Sequence, residues 1–223
     1  KNQEIFDPMD IQPKKLTEFL FLLSLPFLLI GCQAFFPAPY GQVAMDSDPV
    51  RADNQPLYIP PNAPSTLNGF WDVENGHQGI DVLSDVGTPV LAPSPGLVTD
   101  SFFEPMYGNT IYIDHGRSDD GFYIRGRFVH LDERMVKVGD RVRRGQQIGA
   151  LGRTGLLAGG IAHLHFEIQL ATENKSHLFN PKNPHIYWMD GAGIVTCFDR
   201  ETTYPEKPFR TTYPVPCLEA GER

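Results

Sequence analysis

The sequence has no apolar run long enough to cross a bilayer, no basic tract, no internal repeat, and only three cysteines in 223 residues. A spanning helix needs ~20 consecutive apolar residues, and the longest candidate, residues 19–30, is shorter and is interrupted by Ser24 and Pro26. The formal charge is −8. The densest basic stretch is Arg134, Lys137, Arg141, Arg143 and Arg144, which reads as the solvated face of a hairpin, with 136–149 expected to form a tight hairpin. Such a chain has nothing with which to follow a phosphate backbone, so nucleic acid is excluded as an expected partner. Helical periodicity is also missing over long stretches.

What is present points to a globular all-β chain. Hydrophobic residues make up 41% and charged residues 21%, which separates the chain from disordered sequences. Glycine (21) and proline (20) are both abundant, as expected for short strands joined by turns. The length suits one well-buried domain with tails. The expected architecture is a mostly antiparallel β-sandwich or barrel, with few or no helices outside an N-terminal segment.

The N-terminus reads as an export signal. Lys14 and Lys15 precede the apolar run, which ends in Leu29-Ile30-Gly31-Cys32. A short basic segment, an apolar core and a small residue before the cut make a signal peptide over 1–31, with Met9 as the natural start. The last four residues resemble the lipobox of bacterial lipoproteins. That resemblance implies cleavage before Cys32 and lipidation of its thiol, and hence attachment to a membrane by a lipid anchor. Residues 32–68, rich in Pro, Asn, Asp and Ala, read as a tether. A domain over 69–184 follows, and then a Pro- and aromatic-rich tail over 185–223. The tail carries Cys197 and Cys217, an even pair that in an exported chain suggests a disulfide.

Six features follow in order: His77-Gln-Gly-Ile-Asp81, Gly108-Asn-Thr, Asp114-His-Gly, Val129-His130-Leu131, Gly152-Arg-Thr-Gly155 and His163-Leu-His165-Phe-Glu. On a strand, His77, Gly79 and Asp81 share a face, with Gly79 leaving space between two ligand-type side chains. His163, His165 and Glu167 share a face in the same way, opposite Leu164, Phe166 and Ile168. Two imidazoles and a carboxylate suit zinc with a fourth position open to water. Two further histidines remain for water activation and oxyanion stabilisation.

These motifs, with GIDVLSDVGTPVLAPSPGLV, GNTIYIDHG, VKVGDRVRRGQQIGALGRTG and AHLHFEI around them, resemble the lysostaphin-type (LytM) zinc metallopeptidase domain. The resemblance covers about half of the chain. It implies one Zn2+ per chain held by His77, Asp81 and His165, with His130 and His163 as the catalytic pair; which of the two is the base is left open. Glu167 is expected to orient a ligand, and His115 to be a structural turn residue. His177 and His185 have no matching partner. The loop from His115 to Arg127 is longer than is usual in that family.

The activity implied is hydrolysis of peptide bonds in peptidoglycan stem peptides or cross-links. Gln33 after the lipidated cysteine implies a Gram-negative envelope, with the protein periplasmic and anchored to the outer membrane rather than the inner. A regulatory envelope protein is a further expected partner of unknown identity. A non-catalytic activator of cell-wall amidases is the alternative, but such relatives lack one or more of the five positions that this chain retains. A biotinyl- or lipoyl-type carrier requires a lysine at the hairpin tip, where this chain has Gly145-Gln146-Gln147.

Overall fold

The strand His163–Ala171 (β9) organises the molecule, because its alternation faces two environments at once. Leu164, Phe166 and Ile168 are buried in the hydrophobic core, while His163, His165, Glu167 and Gln169 point to the opposite side, as period-2 geometry requires. In this computed structural model the described residues are 40–42, 57–70 and 76–219. Residues 19–30, Cys32, and hence the signal and lipidation expectations, lie outside them.

Three strands pair with β9. Ile80–Leu83 (β1) runs antiparallel to it with Asp81 opposite His165. On the same edge, Asn180–Lys182 (β10) pairs with its other half. Tyr123–Leu131 (β5) lies on the opposite edge, with Val129 across from His165. The sheet continues through Gly108–Arg117 (β4), Gly96–Glu104 (β3) and Arg141–Val142 (β7), in the order β1-β9-β5-β4-β3-β7. A second sheet has the order β2-β8-β6, from Pro89–Leu91, Gln147–Ala150 and Glu133–Arg134. All pairings between these strands are antiparallel. The helical elements around the site and in the tail are 3₁₀ turns of three residues each. The expected all-β class holds.

One core cluster joins the two sheets. It includes Ile80, Ile111, Ile113, Phe128 and Phe166 from the larger sheet, and Val90 and Ile148 from the smaller. Phe128 and Phe166 pack with ring centroids 5.2 Å apart. Truncating a ring of this kind costs roughly 3–5 kcal/mol, because it removes transfer energy and leaves a void.

Two local expectations change on folding. The segment 136–149 is no simple hairpin: β7 pairs with β3, while β8 pairs with β2 and β6 in the other sheet. The long loop after His115 is mostly strand. β4 runs to Arg117 and β5 starts at Tyr123, leaving a turn closed by Ser118 N–H to Phe122 O at 2.8 Å.

Chain on both sides of the motif region joins the same core. Ile59 and Ala63 enter it from before, and Trp188, Val195, Tyr213 and Val215 from the tail. The Tyr213 hydroxyl donates to Pro64 O at 2.9 Å, and Asn62 Nδ2 to Leu218 O at 3.0 Å. Cys197 and Cys217 are joined by a disulfide with Cα atoms 5.9 Å apart. The tail thereby holds residues 58–64, and the chain that follows them runs alongside β1, with Leu67 N–H bonded to Asp81 O at 2.7 Å and Asp81 N–H to Asn68 O at 3.0 Å.

Candidate metal centre and catalytic histidines

β1 and β9 carry Asp81 and His165 on adjacent strands in register, so their side chains meet without any loop to position them. His77 arrives differently. The strand begins only at Ile80, and His77 enters from the preceding chain with Nδ1 2.7 Å from Gly69 O. Gly79 does not simply leave open space. A Cβ there would overlap Phe166 O and crowd the His165 ring, so the absent side chain allows this segment to lie against β9.

The result is a triangle of donor atoms. Asp81 Oδ1 is 3.0 Å from His77 Nε2 and 2.8 Å from His165 Nδ1, and the two nitrogens are 3.1 Å apart. Ligands ~2.0–2.1 Å from a tetrahedral ion lie about 3.3 Å from one another. One carboxylate and two imidazoles at this spacing fit a zinc ion in both donor chemistry and size, and no other group of three or more His, Cys, Asp or Glu side chains converges this way among the described residues.

The surroundings select the ring atoms. His165 Nε2 lies 3.1 Å from Glu167 Oε1, which leaves Nδ1 toward the triangle. Arg127 NH1 donates to the same Glu167 oxygen at 2.7 Å, and Gln169 Nε2 donates to Oε2. Burial alone would raise the Glu167 carboxyl, but His165 and Arg127 bring it down to about 2. Burial likewise opposes charge on His165, yet Asp81 and Glu167 push it up to about 9. At Asp81 burial is outweighed by hydrogen bonds with His165 and His77, which hold its carboxyl well below the usual carboxylate range. The Asn68 amide donates to the other Asp81 oxygen at 3.0 Å.

His130 and His163 stand beside the triangle with ring centroids 4.8 Å apart. Each turns Nδ1 to a main-chain carbonyl: His130 to Thr154 O at 2.9 Å, His163 to Ile161 O at 3.0 Å. A carbonyl only accepts, so each Nδ1 carries the proton and each Nε2 is left with a lone pair. Burial pushes His130 down to about 4 and also lowers His163, so both rings are neutral near pH 7. His163 Nε2 is 3.7 Å from Asp81 Oδ1. A cavity of about 670 Å³ opens over all five side chains and is also walled by Asn68, Tyr107, Arg127 and Leu157.

The remaining histidines stand apart from this cluster. His115 Nδ1 is 2.7 Å from Pro95 O and its ring packs on Phe209. His185 is buried and accepts from Trp188 Nε1 at 3.0 Å, and His177 is exposed in a 3₁₀ turn. The sequence alone did not single out Asn68, Tyr107, Arg127 or Leu157. Strand alternation would have put Arg127 beside the β9 polar face, whereas nothing about Asn68, in a stretch that reads as tether, signalled its contact with Asp81.

Residues 75–181 match the sequence profile of Peptidase family M23. The chain is also 30% identical to the catalytic domain of lysostaphin from Staphylococcus simulans, covering 87% of that domain and 53% of itself, at a TM-score of 0.43. Residues 75–181 carry a Peptidase family M23 domain. Among curated M23-like relatives, it is 38% identical over 139 residues to the peptidoglycan DD-endopeptidase ShyC of Vibrio cholerae, a match over 62% of this chain and 29% of that protein. Against lysostaphin of Staphylococcus simulans it is 35% identical over 106 residues, or 47% of this chain and 20% of the other. The chain thus spans less than a third of the length of each of these two relatives.

Proposed function

We propose that the protein is a zinc-dependent endopeptidase that hydrolyses peptide bonds in peptidoglycan stem peptides or cross-links. The observation that carries this reading is the arrangement of five side chains: a metal-sized His77–Asp81–His165 triangle with two neutral histidines beside it, all facing one cavity. A merely structural zinc site is closed by a fourth protein ligand. Here three donors converge and the remaining direction faces the cavity. The names of the M23 relatives point to the same substrate class.

His77, Asp81 and His165 hold the ion. When bound, zinc supplies Lewis-acid activation of water and of the scissile carbonyl. The protein groups do the rest. Glu167 fixes the His165 ring so that Nδ1 faces the metal, and Arg127 keeps Glu167 in place. The Nε2 lone pairs of His130 and His163 are available to take the water proton. The ring that has taken it can donate to the developing oxyanion, and later to the leaving amine. Leu157 and Tyr107 form part of the cavity wall.

The same reading places the protein in the cell envelope, periplasmic and tethered by acylated Cys32 to a membrane, the outer one in a Gram-negative cell. Residues 69–184 form its catalytic region and 185–223 its tail. Digestion of purified muropeptides, with products resolved by mass, tests the reading directly. Cleaved cross-links or shortened stems are expected, and their loss on metal chelation; intact muropeptides at saturating zinc would reject it.

A further inference from the structure

His130 has a positive φ of 65°, alone in this among the described non-glycine residues. This left-handed backbone is costly for a residue with a Cβ, and it persists only where the surroundings enforce it. Tyr107 O accepts from His130 N–H at 3.2 Å on one side, and Thr154 makes the remaining contacts on the other. Thr154 N–H donates to His130 O at 3.3 Å and Thr154 O accepts from His130 Nδ1 at 2.9 Å, so one residue engages both the backbone and the ring of the histidine.

Thr154 is in turn held through its hydroxyl. Its Oγ1 donates to Leu131 O at 2.7 Å and accepts from Asn109 N–H at 3.0 Å. Asn109 closes the ring, with Nδ2 bonded to Leu131 O at 3.1 Å and to Asp132 O at 3.0 Å. Three glycines make room. A Cβ on Gly108 would overlap Thr154, one on Gly155 would overlap the backbone at Tyr107 and Gly108, and one on Gly152 would overlap Asp132 and His130 O. The Gly108-Asn and Gly152-Arg-Thr-Gly155 motifs therefore form one clamp, built on both sides of His130.

We propose that Thr154 is the positioning residue for His130. Its hydroxyl fixes the backbone whose carbonyl holds His130 Nδ1–H, and so presents Nε2 to the reacting atoms, as a lone pair toward the water and, once protonated, as a donor to the oxyanion. Thr154 itself touches neither metal nor substrate. The proposal rests on the reading of His130 as a catalytic group, and the clamp explains why two motifs remote from the metal triangle occur in this sequence.

The test compares Thr154→Val, which keeps shape but loses the hydroxyl, with Thr154→Ser, which keeps it, and with His130→Ala. Zinc content, kcat and KM on muropeptides, and the 15N signature of the His130 imidazole are measured on each zinc-loaded protein. Thr154→Val should retain zinc and KM, lose about tenfold or more in kcat, the scale of losing a partner that orients a site residue, and show a mixture of His130 tautomers. Thr154→Ser should restore both kcat and the single Nδ1–H tautomer. Thr154→Ala replaces the valine variant should that one fail to fold. Wild-type kcat and a single tautomer without the hydroxyl, while His130→Ala is inactive, overturns the proposal but leaves the catalytic reading standing. Full turnover in His130→Ala overturns the reading of His130, and the proposal with it.

Discussion

Glu167 Oε1 lies 3.1 Å from His165 Nε2, on the side of the imidazole away from the metal triangle. This contact turns Nδ1, rather than Nε2, toward Asp81 and His77. With Nε2–H donated to the carboxylate, the Nδ1 lone pair is directed at Asp81 and His77. Without it the ring is free to adopt the other tautomer.

The first prediction follows. Glu167→Ala should fold but bind zinc roughly 10–100-fold more weakly, the usual effect of removing a carboxylate behind a ligating histidine. Chelator competition at fixed zinc measures this. Wild-type affinity in Glu167→Ala would mean that the triangle orients itself without the contact.

The fold class and the convergence of His77, Asp81 and His165 were legible in the sequence for a simple reason. A β-strand makes side-chain direction a matter of counting by two, so HLHFEI and the Asp of HxxxD declared their faces. The two parts that were hard to read have physical causes. His77 lies outside the strand and is placed by Gly69 O, a main-chain atom that no side-chain pattern reports. Residues 57–68 read as tether because they are rich in Pro and Asn, yet they gain order from β1 and from Tyr213 and Leu218, the last two far along the chain. The 136–149 segment misled for a related reason, since turn chemistry fixes a bend but not which sheet each arm joins.

The tail disulfide carries the second prediction. Cys197 and Cys217 close a separation of 20 residues, for which the loss of unfolded-chain entropy is worth about 3 kcal/mol. Cys197→Ser/Cys217→Ser should lower the denaturation free energy by about that amount. The tail also grips residues 58–64, so hydrogen exchange should quicken at Leu67 and Asp81 N–H. Unchanged stability in the double variant would contradict this, as would two free thiols in the unreduced protein.

The third concerns pH and a buried histidine away from the metal. His185 is buried with Nδ1 already accepting from Trp188, and burial pushes it down from the model-peptide value of 6.5 to about 4. Between those values the unfolded chain binds a proton that the folded chain does not. Stability is therefore full above about 6.5 and falls as pH drops toward 4, by at most about 3.5 kcal/mol at ~1.4 kcal/mol per pKa unit. NMR titration should show no His185 protonation between pH 8 and 5.5; a midpoint near 6.5 would contradict the assignment.

The fourth concerns the envelope. If Leu29-Ile30-Gly31-Cys32 is processed as its pattern implies, mature protein begins at Cys32 and carries two or three acyl chains, since one chain holds a protein only weakly. Intact mass of membrane-extracted protein reads this out. A soluble mature form with unmodified Cys32 would sink the anchor.

The central claim is that three side chains hold the metal and two act on the reacting atoms. Zinc per chain and muropeptide cleavage rate, measured on the same preparations of five alanine variants, separate the two roles most directly. His77→Ala, Asp81→Ala and His165→Ala should lose both zinc and activity, because three protein ligands are what a catalytic zinc site retains. His130→Ala and His163→Ala should keep zinc near one per chain and lose about a hundred-fold or more in turnover. Full activity in His77→Ala, or zinc loss in His130→Ala equal to that of the ligand variants, would contradict the account.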